Sequence, residues 1–203
     1  MTVLLQLDDV TFQYPDSPIA ILDGVSLCIN AGETIRITGR NGAGKSTLLK
    51  IICGEILPTA GIIRSQPNVR RIYLNQFSGD MLAMDLTVGE TFDAFCDAET
   101  MGQGRQNYQE LLRAFGIGLQ NRLSSFCGQL SGGQRQIVAL AVSIFSGASL
   151  LCLDEFTSNL DEQSEKIALD LIDKFANQSD RAVFFVSHAS IGIEDRVYAL
   201  AGC

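Results

Sequence analysis

Apolar and polar positions alternate over residues 3–12, a spacing of two that predicts a strand. Residues 25–29 and 34–38 carry the same pattern on either side of the turn formers Asn30, Ala31 and Gly32. The spacing then changes. Leu48, Leu49, Ile51 and Ile52 recur at helical intervals, which predicts a helix from Gly44 to Cys53, stopped by Gly54 and Pro58. A strand thus runs into a glycine-bearing loop and the loop into a helix. After a further strand expected at residues 72–76, the stretch from about 79 to 144 reads as mostly helical, with a polar, glycine-bearing segment at 101–105. Two apolar strands close the pattern, at 150–153 and 182–186, with an amphipathic helix at about 164–176 between them. That alternation is the signature of an α/β unit built on a parallel sheet. No internal repeat or low-complexity linker interrupts it.

With 203 residues, the chain has room for one domain with a substantial core, or one domain and a small lobe. The hydrophobic fraction of 46% and charged fraction of 19% exclude disorder as its main state. A net charge of −8, with Lys and Arg scattered, argues against nucleic acid and against direct docking on anionic lipid, since both need a basic stripe. Six cysteines without a C-x-x-C pair, and a single histidine, offer little for a zinc site and suit free thiols in a reducing compartment. The uncharged run from 136 to 153 approaches the length of a membrane span. The turn formers Ser146, Gly147, Ala148 and Ser149 divide it into a buried helix and a buried strand, so no membrane insertion is expected. The first ten residues lack the basic and apolar regions of a secretory signal, and the expected location is the cytosol.

Chemistry concentrates at three places. Gly39-Arg40-Asn41-Gly42-Ala43-Gly44-Lys45-Ser46 fits G-x-x-x-x-G-K-[ST] between a predicted strand and a predicted helix. In that setting backbone N–H groups and the positive helix end cradle phosphates, Lys45 reaches the β and γ phosphates, Ser46 ligates magnesium, and Thr47 follows in the same turn. The apolar strand at 150–153 ends in Asp154 and Glu155, which places Asp154 as the magnesium partner and Glu155 as the carboxylate that orients and deprotonates the attacking water. Leu130-Ser131-Gly132-Gly133-Gln134 precedes an apolar helical stretch, where Ser131 is a natural N-cap and the glycines expose N–H groups to a second anion.

Together these segments resemble the nucleotide-binding domain of ATP-binding cassette (ABC) proteins over essentially the whole chain. The resemblance assigns residues 130–134 to the family signature, Gln76 to the Q-loop, Asp154 and Glu155 to the Walker B end, Ser158-Asn159-Leu160-Asp161 to the D-loop and His188 to the switch. It implies an α/β P-loop NTPase core with a mixed sheet, an N-terminal antiparallel β region and an inserted helical lobe, forming one domain over residues 1–203. The core is expected at about 1–78 and 145–203, and the lobe at about 79–144. Further implied roles are γ-phosphate and magnesium sensing for Gln76 and a γ-phosphate hydrogen bond for His188. Adenine stacking falls to Tyr14, with Phe12 as its rival. Phe156 stands where the family commonly has proline and Val142 where arginine is common, which bears on hydrolysis rate and dimer coupling.

In the family the signature of one subunit closes on the ATP held by the P-loop of another, which would explain two phosphate-binding helix ends in one chain. The implied function is the Mg-ATP-hydrolysing subunit of a transporter, working as a dimer, most simply a homodimer, on separate polytopic permease subunits at the inner face of the membrane. A soluble or regulatory ABC ATPase is the alternative. Chromosome-type members carry a long coiled coil and translation-type members two cassettes, and neither feature is found here. A GTPase or small-molecule kinase would leave residues 130–134 unexplained, and no Asn-Lys-x-Asp for guanine is found.

Overall fold

The computed structural model describes residues 2–95, 113, 118–187 and 192–201. They group into two compact units.

The first unit comprises Met1–Tyr73, Ser149–Glu155 and Ala176–Cys203. Strand β1 (Val3–Phe12) pairs antiparallel with β2 (Leu22–Asn30) on one side and with β4 (Ala60–Ser65) on the other, giving the order β2-β1-β4. One of three register shifts in the β1–β2 ladder falls between Leu7 and Val10, around Asp9 with its φ of 53°. The turn after β2 does not close a hairpin with β3 (Thr34–Thr38). Instead β3 enters a second sheet of order β5-β6-β7-β3-β8, formed with β5 (Arg71–Asn75), β6 (Leu150–Asp154), β7 (Ala182–Val186) and β8 (Arg196–Ala199). There β3 lies parallel to both β7 and β8, and β6 parallel to β7. The uninterrupted burial of β6 and β7 is what parallel strands covered on both faces require. Helix α1 (Lys45–Cys53) packs Leu48, Leu49, Ile51 and Ile52 into the same core as Ile35, Ile37 and Phe184. It ends at Gly54, whose N–H returns to the Ile51 carbonyl.

The second unit comprises Leu74–Ala148 and Phe156–Phe175. Its described helices are α2 (Val88–Phe95), α3 (Gly132–Phe145) and α4 (Glu162–Ala176), with short 3-10 turns at Ser78–Met81, Leu119–Asn121 and Cys127–Gln129. From Gln136 onward every residue of α3 is buried, so this helix is wrapped on all sides. The Phe92 and Phe145 rings meet at 5.8 Å between α2 and α3. By contrast α4 buries one stripe, Ser164, Ala168, Leu171, Ile172 and Phe175. Glu162 and Glu165 in its first turn and Lys174 in its last complement its dipole. The polar segment at 101–105 lies outside the described residues.

Candidate nucleotide-binding site

Loop 39–44 leaves the end of β3 and turns directly into α1. Gly44 caps that helix with φ 89°, and a Cβ there would stand 2.8 Å from Leu22 Cδ2 and 2.9 Å from the Ile21 carbonyl, so both the backbone and the space demand glycine. No side chain among the described residues caps the helix, whose first N–H groups and positive end suit an anion. Lys45 Nζ donates to the carbonyls of Gly39 at 2.9 Å and Arg40 at 3.0 Å, folding its ammonium back over the loop it springs from.

One cleft of about 440 Å³ is lined by Tyr14, Ile21, Asn41, Gly42, Gly44, Lys45, Ser46, Thr47 and Glu155. The remaining loop residues, Gly39, Arg40 and Ala43, shape the turn behind it, with the Ala43 N–H bonded to the Arg40 carbonyl at 3.1 Å. Tyr14 is 44% exposed, whereas Phe12 is buried and meets the Tyr14 ring edge-on at 4.8 Å. The Tyr14 and Thr47 hydroxyls share a hydrogen bond at 3.1 Å, tying the ring to the first turn of α1. An apolar and aromatic lip beside a cationic loop matches the two ends of a nucleotide triphosphate.

Asp154 ends β6 and Glu155 follows it. The Tyr73 hydroxyl donates to Asp154 Oδ2 at 2.7 Å. Glu155 adopts a left-handed backbone with φ 48°, anchored by its N–H to the Val186 carbonyl at 3.1 Å. A non-glycine residue in this region carries strain that the surrounding structure must impose, and such strain clusters at functional positions. The two residues of this unit expected to ligate magnesium are an exposed hydroxyl, Ser46, and a half-buried carboxylate, Asp154. Among the described residues no cluster of three or more His, Cys, Asp or Glu is formed that could hold a metal. That donor set fits a cation bound through one carboxylate, a hydroxyl, waters and substrate phosphates.

In the second unit Ser131 caps α3 reciprocally. Its hydroxyl accepts from the Gln134 N–H at 3.2 Å, and Gln134 Oε1 accepts from the Ser131 N–H at 3.1 Å. Gly132 opens the helix, and Gly133 packs so closely on α4 that a Cβ would lie 2.7 Å from Ser164 Oγ. Asp161 caps α4, with Oδ1 accepting from the Ser164 N–H at 2.9 Å and Oδ2 from its hydroxyl at 2.8 Å. Those two bonds hold the Asp161 carboxyl below the usual carboxylate range. A cavity of about 450 Å³ opens here, with Ser131, Gln134, Asp161, Ser164 and Arg122 in its wall. Gln76 Oε1 accepts from the Ser158 hydroxyl at 2.8 Å, joining the two segments assigned by resemblance to the Q-loop and D-loop. His188 lies outside the described residues.

The sequence reading passes over two side chains that organise these segments. Tyr73 holds Asp154, and buried Gln136 binds Gly79 and Asn75. Tyr73 could have been suspected only with the strand order in hand, and Gln136 from being the one buried amide in the apolar run of α3. Val142 and Phe156 are both buried, at 6% and 3% exposure.

The fold and the cleft define a P-loop nucleotide-binding domain. A family model described as ABC transporter matches residues 22–158. Zinc import ATP-binding protein ZnuC of Vibrio vulnificus is 33% identical over 189 residues, covering 93% of this chain and 69% of that protein. ABC transporter F family member 4 of Arabidopsis thaliana is 37% identical over 191 residues, 92% of this chain, which spans only 25% of that relative. In fold, the chain matches the solved ATP-binding subunit of an ABC transporter with a TM-score of 0.76 at 24% identity, over 97% of this chain and 85% of that one. The chain belongs to the ABC transporter family and is an ATP-binding ATPase domain of that class. Among its described residues no helix is long and apolar enough to cross a membrane.

Proposed function

We propose that this domain powers a transporter by closing as a head-to-tail dimer around Mg-ATP and reopening after hydrolysis, with separate membrane-spanning subunits carrying the substrate. The observation that carries the reading is the presence of two anion-receptive helix starts in one chain: the uncapped start of α1 in a cleft with Tyr14 and Glu155, and the Ser131–Gln134 start of α3 beside its own cavity. The import role named for the similar zinc protein supports the transport step.

In this reading Tyr14 takes the adenine, the 39–44 loop and Lys45 hold the phosphates, and Ser46 and Asp154 hold magnesium. An ion held by those two residues would supply positive charge against the phosphate oxygens. Glu155 orients and deprotonates the attacking water, a contribution of about 10² to 10⁴ in rate. Gln76 sits at the γ-phosphate side, while Ser131, Gly132, Gly133, Gln134 and Asp161 complete the partner's site. The pair of domains is held at the inner face of the membrane by its permease subunits.

Light scattering of Glu155→Gln with and without ATP tests this directly. ATP-dependent dimers with hydrolysis nearly abolished are expected. Monomers under saturating ATP would remove the dimeric site, and an unchanged hydrolysis rate would remove Glu155 as the base. Co-purification of the native protein with a polytopic membrane subunit tests the transport assignment.

A further inference from the structure

Tyr73 lies on β5, three residues before Gln76, and none of the motifs read from the sequence includes it. Its hydroxyl donates to Asp154 Oδ2 at 2.7 Å, a length typical of a hydrogen bond to a carboxylate oxygen. Its ring is engaged as well. Lys50 Nζ stands 5.8 Å from the ring centroid, within cation–π reach, and Lys50 belongs to the last turn of α1. The ring also packs against the hydrophobic core of the first unit, which limits its rotation. One side chain therefore touches both elements that would supply magnesium ligands: α1, which begins with Lys45 and Ser46, and β6, which ends with Asp154.

We infer that Tyr73 is a positioning residue for the magnesium site, orienting the Asp154 carboxylate so that Oδ1 is presented to the metal or its bound water while Oδ2 is occupied. The inference rests on the proposed role of Asp154 and adds a residue to it. A carboxylate with both oxygens free samples several orientations about its terminal bond, and a donor fixed in the core selects one of them. Loss of such outer partners of metal ligands typically costs about 10- to 100-fold in metal affinity. Tyr73→Phe removes only the hydroxyl and keeps the ring, its packing and the Lys50 contact, so a purely structural role for Tyr73 would leave metal affinity unchanged.

The test uses the full chain with a non-hydrolysable ATP analogue and Mn²⁺ as the probe. Protein-bound manganese is read by electron paramagnetic resonance, and analogue affinity is measured separately in EDTA. Tyr73→Phe is expected to weaken manganese binding about tenfold while its metal-free nucleotide affinity and melting temperature stay at wild-type values. Asp154→Asn runs alongside and is expected to lose more. If Asp154→Asn loses manganese and Tyr73→Phe does not, the positioning role is overturned while the magnesium assignment stands. If Asp154→Asn binds manganese as tightly as wild type, the magnesium assignment itself fails and the role of Tyr73 with it. An equal loss of metal-free nucleotide affinity in Tyr73→Phe overturns the inference, because the residue would then be shaping the cleft as a whole.

Discussion

The buried side-chain amide of Gln136 grips the backbone of one loop at both ends: Oε1 accepts the Gly79 N–H at 2.7 Å, and Nε2 donates to the Asn75 carbonyl at 2.5 Å. Gln76 and Phe77 lie between those two points, so the segment assigned to γ-phosphate sensing is fastened to α3, the helix that the signature residues begin. A longer contact from Nε2 reaches the Phe156 carbonyl at 3.4 Å, just beyond Glu155. A loop held this way follows the helix as one body, which is how a movement at Gln76 would reach Ser131.

Replacing Gln136 by Leu keeps the volume and removes both partners. The Gly79 N–H is then buried without an acceptor, a defect that costs about 1–3 kcal/mol, with a further loss at the Asn75 carbonyl. The expected destabilisation is about 2–4 kcal/mol in urea unfolding, with faster hydrogen exchange at Gly79. A change below about 0.5 kcal/mol, the size usual for surface positions, would show that the clasp is not formed in solution.

The elements that the chain pattern specified are those whose burial has a clear period. β3 was expected at residues 34–38 and is observed as Thr34–Thr38, α1 starts one residue later than expected, and β7 spans the expected residues. Two strands escaped the reading. In β4 five of six residues are exposed, and β8 has three exposed of four, so neither leaves an apolar rhythm in the sequence. Their strand state comes from pairing with β1 and β3, which is long-range information. The same holds at the site. The loop and carboxylates are legible because their spacing is local, whereas the Tyr73–Asp154 bond joins residues 81 positions apart.

Phe156 gives Glu155 a backbone freedom that proline at this position would restrict. Proline disfavours helical-type conformations in the residue before it, pushing that residue towards extended geometry, whereas Glu155 sits at φ 48°. Phe156→Pro also deletes a ring that is 97% buried by its 3% exposure. The ring alone is worth about 3–5 kcal/mol. Unfolding by urea should therefore show a loss of at least that order, and the surviving folded fraction should hydrolyse ATP more slowly because Glu155 is displaced. A stable, fully active Phe156→Pro protein would mean that the left-handed Glu155 backbone is not required for turnover.

Lys45 Nζ donates to the Gly39 and Arg40 carbonyls, and its ammonium lines the same cleft as Glu155. Charge-assisted hydrogen bonds contribute about 1.5–3 kcal/mol, so Lys45→Ala should weaken ATP binding roughly ten- to hundredfold by isothermal titration. Because the ammonium also pins two loop carbonyls, Lys45→Arg should recover only part of this loss, its planar fork being a poor fit to both. Tight ATP binding by the alanine variant would contradict the phosphate-loop assignment.

Asp161 makes the start of α4 sensitive to acid in a direction that can be worked out. Its carboxyl is held below the usual range first by the Ser164 N–H and then by the Ser164 hydroxyl, so as pH falls the unfolded chain takes up this proton before the folded one does. The contribution of the charged cap is complete above the ordinary aspartate value of about 3.9 and is lost as pH drops through the lower folded value. Asn at this position also caps helices well but carries no charge. The melting temperature of the wild type should exceed that of Asp161→Asn at pH 6, and the gap should narrow as pH is lowered from about 5 to 3. A gap that stays constant over that interval would place the value of the cap in its geometry alone and not in its charge.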